Sequence, residues 1–130
     1  EIIGGSLSLI ADTLGTPYEI DVKGKILFIE EVMEEPYRID RMLNQLRLSG
    51  KLNEAEAIIL GDFNKCEPEK PNESLTLEEV IDDHIKPLGK PTIYNLQAGH
   101  CQPMVTIPFG VRARLDADNK ELTILENSIE

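Results

Sequence analysis

Two ionisable residues, Glu30 and His100, occur where the chain could deliver both of them to one site. Glu30 directly follows the apolar run at residues 26–29, and His100 follows Gly99 shortly after the strand-like segment 92–95. A carboxylate and an imidazole brought together by two strand ends are two members of a Ser–His–acid triad, in which the histidine moves the proton and the acid orients the histidine. The pattern therefore predicts that Glu30 and His100 are catalytic.

The third member of such a triad, a nucleophile, is not evident. The chain has no Gly-x-Ser-x-Gly motif, and no serine is predicted to be exposed at a turn between a strand and a helix. The serines considered are Ser6, Ser8, Ser49, Ser74 and Ser128. Cys101 is excluded as the nucleophile because adjacent residues of an extended segment point to opposite sides, away from the imidazole of His100. The sequence therefore predicts one half of an active site.

Each candidate residue also has a structural interpretation. His100 can be a histidine that is hydrogen-bonded within a loop, and Glu30 can interact with the first turn of a helix that begins at Pro36. Glu31 competes with Glu30 as the partner of the histidine, although the two-residue period of a strand places their side chains on opposite faces. His84 differs from His100, because it lies on the apolar face of a helix and is predicted to be packed in the core.

Composition and charge exclude several classes of protein. With 13 basic and 24 acidic residues the net charge is −11, which argues against a nucleic-acid surface and against docking on an anionic membrane. The two cysteines, Cys66 and Cys101, lack CxxC spacing, which predicts a reducing compartment in which neither thiol is bridged. A zinc site made of these thiols with His84 and His100 matches no known ligand spacing, so no metal or other cofactor is expected.

The elements that must position these residues alternate between helices and strands. Helices are predicted at residues 6–14, at 36–49, and from a capping box at Thr76 to Pro87. Buried strands are predicted at 25–29 and 57–61, and further strands at 92–95, 104–107, 111–115 and 122–125. The fold class is therefore a single mixed α/β domain, with helices in the N-terminal two thirds and a β-rich, barrel-like C-terminal part.

These motifs together resemble the C-terminal domain of the LD-carboxypeptidases, serine peptidases also called muramoyltetrapeptide carboxypeptidases. The matching segments keep the same order over nearly the whole chain, at residues 4–7, 15–18, 25–30, 36–43, 58–61, 98–100, 107–110 and 114–116. The resemblance implies that residues 1–130 are the C-terminal domain of an enzyme roughly twice this length, consistent with two domains. Ser6 departs from the family pattern, which often has asparagine at this position.

The resemblance also implies a function. Glu30 and His100 match the glutamate and histidine that this domain, a swivelling β-rich α/β unit, supplies to a serine on the N-terminal α/β domain. The family removes the terminal D-alanine from the murein tetrapeptide at an L-to-D bond, during peptidoglycan recycling in the bacterial cytoplasm, and tends to form homodimers. The present chain, without the N-terminal serine domain, is expected to be inactive because it lacks the nucleophile.

Two alternative functions stay open. One is an immunity peptidase of the microcin C type, which uses the same triad to cleave an amide in a peptidyl-nucleotide. The other is a non-catalytic α/β binding or dimerisation module, in which Glu30 and His100 have structural roles. Geometry distinguishes catalysis from the second alternative, because a triad requires the two side chains to face each other with the far side of His100 open.

Overall fold

The computed structural model describes residues 1–127 as a parallel sheet with helices on one face and the C-terminal third of the chain on the other. The four strands of the sheet are β1 (Ile2–Ser6), β2 (Ile26–Val32), β3 (Ala57–Asn64) and β4 (Thr92–Ile93). The helices are α1 (Leu7–Thr13), α2 (Pro36–Leu48), α3 (Lys51–Glu54) and α4 (Leu77–Ile85). Short 3₁₀ turns lie at Pro71–Glu73 and Lys86–Leu88, and an antiparallel hairpin is formed by β5 (Ala113–Asp116) and β6 (Glu121–Ile124).

The strands of the parallel sheet lie side by side in chain order, β1-β2-β3-β4. Since each connection leads to the next parallel strand with the same hand, the intervening helices all cover one face. The carboxyl ends of the strands meet at one edge, which in open α/β sheets is where functional side chains gather. None of the helices within residues 1–127 combines the length and the apolar character needed to span a bilayer.

The two faces of the sheet bury different partners because successive strand residues point to opposite sides. Leu27 and Ile29 of β2 belong to a large core with the apolar stripes of α1, α2 and α4. Ile26 and Phe28 belong to a smaller core beneath the C-terminal third, together with Ala98. Glu30 lies two residues after Phe28 on the same strand, so its side chain points to the same face, which the C-terminal third covers.

The predicted α/β class and the helical N-terminal two thirds are confirmed, but strand β1 was missed. Two successive glycines weaken the strand signal in the sequence. Gly4 is needed there, because a Cβ at this residue would lie 1.9 Å from the carbonyl oxygen of Phe28 on β2. The first helix therefore begins at Leu7 and ends at Thr13, and Ser6 occupies its N-cap position without a side-chain capping bond.

The barrel-like closure expected of the C-terminal part is not confirmed within residues 1–127. The predicted strand 104–107 is wrong, and strand 92–95 is reduced to Thr92–Ile93. Pro103 and Pro108, on either side of the run 104–107, cannot donate main-chain hydrogen bonds, and the amide of Val105 bonds to the carbonyl of Gln97 in a loop and not to a strand. Met104 and Val105 are exposed. Only the final hairpin forms, as a separate two-stranded sheet.

Candidate active site

Glu30 lies at the carboxyl end of β2, with only 6% of its surface exposed. The ladder between β2 and β3 is irregular at this residue, since Ile29 pairs with Leu60 whereas Glu31 pairs with Phe63. The extra residue on β3 makes a bulge, a feature that re-aims side chains near functional sites. Because the bulge is on β3 and not on β2, Glu30 keeps the face of Ile26 and Phe28 and projects toward the segment that crosses that face.

That segment, residues 96–100, is held against β3 by main-chain hydrogen bonds. The amide of Leu96 donates to the carbonyl of Leu60 at 3.0 Å, and the amide of Asp62 donates to the carbonyl of Ala98 at 2.8 Å. Gly61 lets the segment pass, because a Cβ there would lie 2.5 Å from the Ala98 carbonyl oxygen. These contacts carry the chain past the end of β3 and beside the carboxylate on β2.

The backbone of this segment comes close to Glu30 at Gly99. Its φ of +125° lies where residues with a side chain are strained, and a Cβ there would be 2.9 Å from Glu30 Oε2. The glycine thus allows the backbone to run against the carboxylate and to present the next residue, His100, to it. The two halves of the candidate site, which are 70 residues apart in sequence, meet here.

His100 and Glu30 form a hydrogen-bonded pair. The distance from His100 Nδ1 to Glu30 Oε2 is 2.8 Å, and the imidazole side chain is 55% exposed while that of the glutamate is only 8% exposed. An ionised carboxylate can only accept a hydrogen bond, so Nδ1 carries the proton and Nε2 presents its lone pair. This arrangement can take a proton from a nucleophile and later return it.

Glu31, the rival to Glu30 in the sequence, lies on the helix-covered side and is 3% exposed. Its carboxylate accepts hydrogen bonds from the main-chain amides of Ser8 at 2.7 Å and Val32 at 2.9 Å, and from Ser6 Oγ at 3.4 Å. The residue therefore stabilises the first turn of α1. Of the two adjacent glutamates, Glu30 is the one that contacts the histidine.

The serines do not complete the site within residues 1–127. Contrary to the sequence prediction, Ser6 does stand between a strand and a helix, at the junction of β1 and α1, because β1 was not predicted. Its hydroxyl is within hydrogen-bond distance of Ser8 Oγ at 2.9 Å and contacts Glu31 rather than His100. Ser49 and Ser74 bond to nearby main-chain carbonyls. Ser128 lies outside the described residues.

The remaining histidine and the two thiols have other surroundings. His84 is 9% exposed on α4 and bonds through Nε2 to Asp40 on α2 at 2.7 Å, as a packed core histidine. Cys66 is buried, and burial raises the pKa of its thiol. Cys101 contacts the carbonyl of Pro103 at 3.7 Å. Among residues 1–127 no three acidic, histidine or cysteine side chains are grouped so as to hold a metal ion.

One residue of the site was missed by the sequence. Asn64, the last residue of β3, donates from Nδ2 to the main-chain carbonyl of His100 at 2.6 Å. The strand predicted from the sequence, residues 57–61, ends before it. The only available signal was the glycine at residue 61, which marks a close backbone approach near the strand end but does not identify the residue that comes close.

The chain matches the family "LD-carboxypeptidase C-terminal domain" over residues 1–115. A probable murein peptide carboxypeptidase of Bacillus subtilis (strain 168) is 48% identical over 124 residues, which cover 95% of this chain and 39% of that protein. The Microcin C7 self-immunity protein MccF of Escherichia coli is 32% identical over 130 residues, covering 96% of this chain and 36% of its own length.

A solved structure agrees with these sequence matches. The crystal structure of muramoyltetrapeptide carboxypeptidase from Oxalobacter formigenes superimposes with a TM-score of 0.77 at 36% identity, over 86% of this chain and 39% of that one. The chain thus spans 36–39% of the length of these relatives.

Proposed function

The chain belongs to the LD-carboxypeptidase family, and on that premise we propose that Glu30 and His100 supply the acid and the base of a serine-type peptidase. The observation that carries the proposal is the 2.8 Å contact between His100 Nδ1 and the buried Glu30 carboxylate, with the imidazole half exposed. A histidine that is oriented on one side and open on the other is the form that a general base requires.

The nucleophile in this proposal is a serine of an N-terminal domain outside the chain. As the serine hydroxyl attacks the scissile carbonyl, His100 Nε2 takes its proton, and Glu30 stabilises the imidazolium that forms. The same proton then passes to the departing amine, which leaves an acyl-serine. His100 next takes a proton from water, whose hydroxide attacks the acyl group, and returns that proton to the serine oxygen.

The proposed substrate is the murein tetrapeptide, from which the enzyme releases the terminal D-alanine during peptidoglycan recycling in the cytoplasm. Support comes from relatives named murein peptide carboxypeptidase and muramoyltetrapeptide carboxypeptidase. The working enzyme contains the serine domain and forms a homodimer in this proposal. The present chain alone is proposed to be inactive, since without a nucleophile there is no covalent route.

A second candidate is an immunity peptidase that cleaves the amide of a peptidyl-nucleotide. It is favoured by the 32% identity to the Microcin C7 self-immunity protein, which extends over 96% of the chain. The proposed pair would act in the same way on either substrate, since both reactions transfer an acyl group to serine. The two functions therefore differ in what the rest of the enzyme binds.

The test uses the full-length protein with murein tetrapeptide, and with a peptidyl-nucleotide in parallel, measuring the released D-alanine or amine by mass spectrometry. Glu30→Gln and His100→Gln are each expected to lower kcat by about 10⁴-fold, as losing a triad member does. His84→Gln is the matched control, because it removes the other histidine of the chain and is expected to leave kcat unchanged.

Turnover of the tetrapeptide alone supports the carboxypeptidase, and turnover of the peptidyl-nucleotide alone supports the immunity peptidase. If the wild-type protein cleaves either substrate but Glu30→Gln and His100→Gln retain full activity, the pair is structural. If the wild-type protein cleaves neither substrate, the proposed functions fail, and a non-catalytic binding or dimerisation module is then the better interpretation.

A further inference from the structure

The segment that carries His100 follows β3 in steps of two residues. Leu96 is bonded to Leu60 at 3.0 Å, and Ala98 is bonded to Asp62 at 2.8 Å. Along β3 the next residue in this series is Asn64, and along the segment it is His100. In a regular parallel ladder, the next amide of β3 to donate would be that of Asn64, and its acceptor would be the carbonyl of His100.

At this last position the donor is a side chain. Asn64 Nδ2 lies 2.6 Å from the carbonyl oxygen of His100, and the carbonyl can only accept, so the amide nitrogen is the group that faces it. β3 ends at Asn64, and the following residue, Lys65, has a φ of +55°, so the main chain turns away here. The side-chain amide of Asn64 thus takes the place of a main-chain donor at the last residue of the strand.

We propose that Asn64 is a positioning residue for His100, acting through the main chain to hold the imidazole on Glu30. This inference rests on the proposed function, because it concerns the same base. The orientation of the His100 peptide group sets the position of the Cα and Cβ atoms from which the imidazole extends. The contact of Nδ1 with Glu30 requires these atoms to stay in place. Asn64 bonds to the main chain of His100, and it acts by restricting the histidine.

The side chain at residue 64 also has to be neutral. An aspartate there would keep nearly the same shape but would place a carboxylate oxygen against the carbonyl oxygen of His100, two acceptors with no proton between them. Asn64→Asp is therefore expected to release the segment from β3. Asn64→Ala removes the donor without adding charge, and it tests the same bond should the aspartate variant not fold.

A matched control is available on α2. Asn44 accepts hydrogen bonds from the guanidinium of Arg47 at 2.7 and 3.2 Å, through Oδ1. Asn44→Asp makes the same change of charge as Asn64→Asp but preserves the acceptor, and it lies in the helical layer on the opposite face of the sheet. It is expected to behave as the wild-type protein.

The first measurement is the tautomer of His100 in this 130-residue chain, by long-range ¹H–¹⁵N NMR of the imidazole at a pH where it is neutral. The wild-type chain is expected to show the single Nδ1–H form imposed by Glu30, and Asn64→Asp and Asn64→Ala a mixture of both tautomers. His84 provides an internal reference that should not change in any variant. Retention of a single tautomer in both Asn64 variants overturns the proposal.

The second measurement is steady-state kinetics of the full-length protein. Asn64→Asp is expected to lower kcat by about 10- to 100-fold, because a misplaced base loses rate without losing substrate affinity, with KM within about two-fold. Asn44→Asp should change neither constant. Unchanged kcat in both Asn64 variants, or an equal loss in the Asn44 control, contradicts the positioning role.

The two proposals can fail separately. If the wild-type full-length protein has no peptidase activity, the proposed function fails, and the NMR comparison still decides whether Asn64 holds His100 on Glu30. If the wild-type protein is active and the tautomer of His100 is the same in the wild-type chain and in the Asn64 variants, only the role of Asn64 is rejected.

Discussion

Two histidine–carboxylate pairs lie on opposite faces of the sheet, at nearly the same distance but with reversed exposure. In the helical layer the imidazole of His84 is 10% exposed and its partner Asp40 is 45% exposed, at 2.7 Å. On the other face the imidazole of His100 is 55% exposed and its partner Glu30 is 8% exposed, at 2.8 Å. A hydrogen-bond distance alone therefore does not identify a functional histidine.

The difference lies in which group is free to react. His84 uses Nε2 for its carboxylate and has the rest of its ring in the core, so it links α4 to α2. His100 uses Nδ1 for its carboxylate, which leaves Nε2 for proton transfer, and its side chain is 55% exposed. We expect the His84 pair to control stability and the His100 pair to control activity, and each experiment below separates these two properties.

The first prediction concerns the point where the backbone meets Glu30. Gly99→Ala would place a Cβ 2.9 Å from Glu30 Oε2 and 3.1 Å from Glu30 Cβ, so either the Glu30 side chain or the segment that carries His100 has to shift, and the contact between the two is disturbed in both cases. A displacement of about 1 Å at a catalytic group can cost 10²-fold, and we expect kcat of the full-length protein to fall by about that factor.

Gly110→Ala is the control for this substitution. Gly110 also has a positive φ, +77°, but a Cβ there would meet no atom within 4 Å. Backbone strain is therefore common to both variants, whereas the collision with Glu30 is specific to Gly99. If Gly110→Ala lowers kcat as much as Gly99→Ala does, strain in the C-terminal third and not the approach to Glu30 explains the loss.

The same comparison shows what the sequence could predict. Glu30 was selected because an apolar run that ends in a carboxylate is a local pattern, and the strand period placed Glu31 on the opposite face without excluding it as the partner of the histidine. The catalytic role of Glu30 stays a prediction. The capping box at Thr76 and the packed position of His84 were local as well, and both are confirmed. Features that are encoded by consecutive residues, or by a helical period, could thus be predicted from the sequence.

The rest depends on distant contacts. The segment 96–100 has no regular period, and its course along β3 arises from hydrogen bonds with residues that are 36 positions away. The hydrogen bond from Asn64 to His100 could not be predicted from the sequence for the same reason. Short apolar runs after residue 100 were interpreted as strands of a barrel, but a strand requires a partner strand, and the amide of Val105 in the run 104–107 bonds to the carbonyl of Gln97, which is not in a strand.

The second prediction compares the stability and the activity of two variants. His84→Gln is expected to lower the free energy of unfolding by about 1–2 kcal/mol, because a buried hydrogen-bonded ring is replaced by a flexible chain. Glu30→Gln is expected to leave that free energy unchanged or to raise it, since it removes a buried carboxylate charge. Urea unfolding of this chain, followed by circular dichroism, measures both.

The two variants should therefore rank in opposite orders for stability and for activity. His84→Gln is less stable and fully active in the full-length protein, whereas Glu30→Gln is at least as stable and inactive. A Glu30→Gln chain that is destabilised more than His84→Gln would mean that the Glu30 pair holds the fold together, which contradicts the division between the two faces.

The smallest effect concerns α4, the helix that carries His84. Its first turn is closed by a capping box, in which Thr76 Oγ1 accepts from the Glu79 amide at 3.2 Å and the Glu79 carboxylate accepts from the Thr76 amide at 2.8 Å. The hydrogen bonds from the main chain and hydroxyl of Thr76 lower the pKa of Glu79. A carboxylate with a lowered pKa stabilises the folded chain above its unfolded pKa, and this contribution disappears as the pH falls through the folded pKa.

Glu79→Gln should accordingly be less stable than the wild-type chain at neutral pH, and the difference should shrink to zero as the solution is acidified below the folded pKa of Glu79. Glu78→Gln removes the same charge from the same turn but lies outside the box, so it should show a smaller difference. Urea midpoints measured from neutral to acidic pH give both curves. Because α4 belongs to the helical layer, kcat of the full-length Glu79→Gln protein at neutral pH should equal that of the wild type. A change in kcat would mean that the helical layer and the His100 face are coupled.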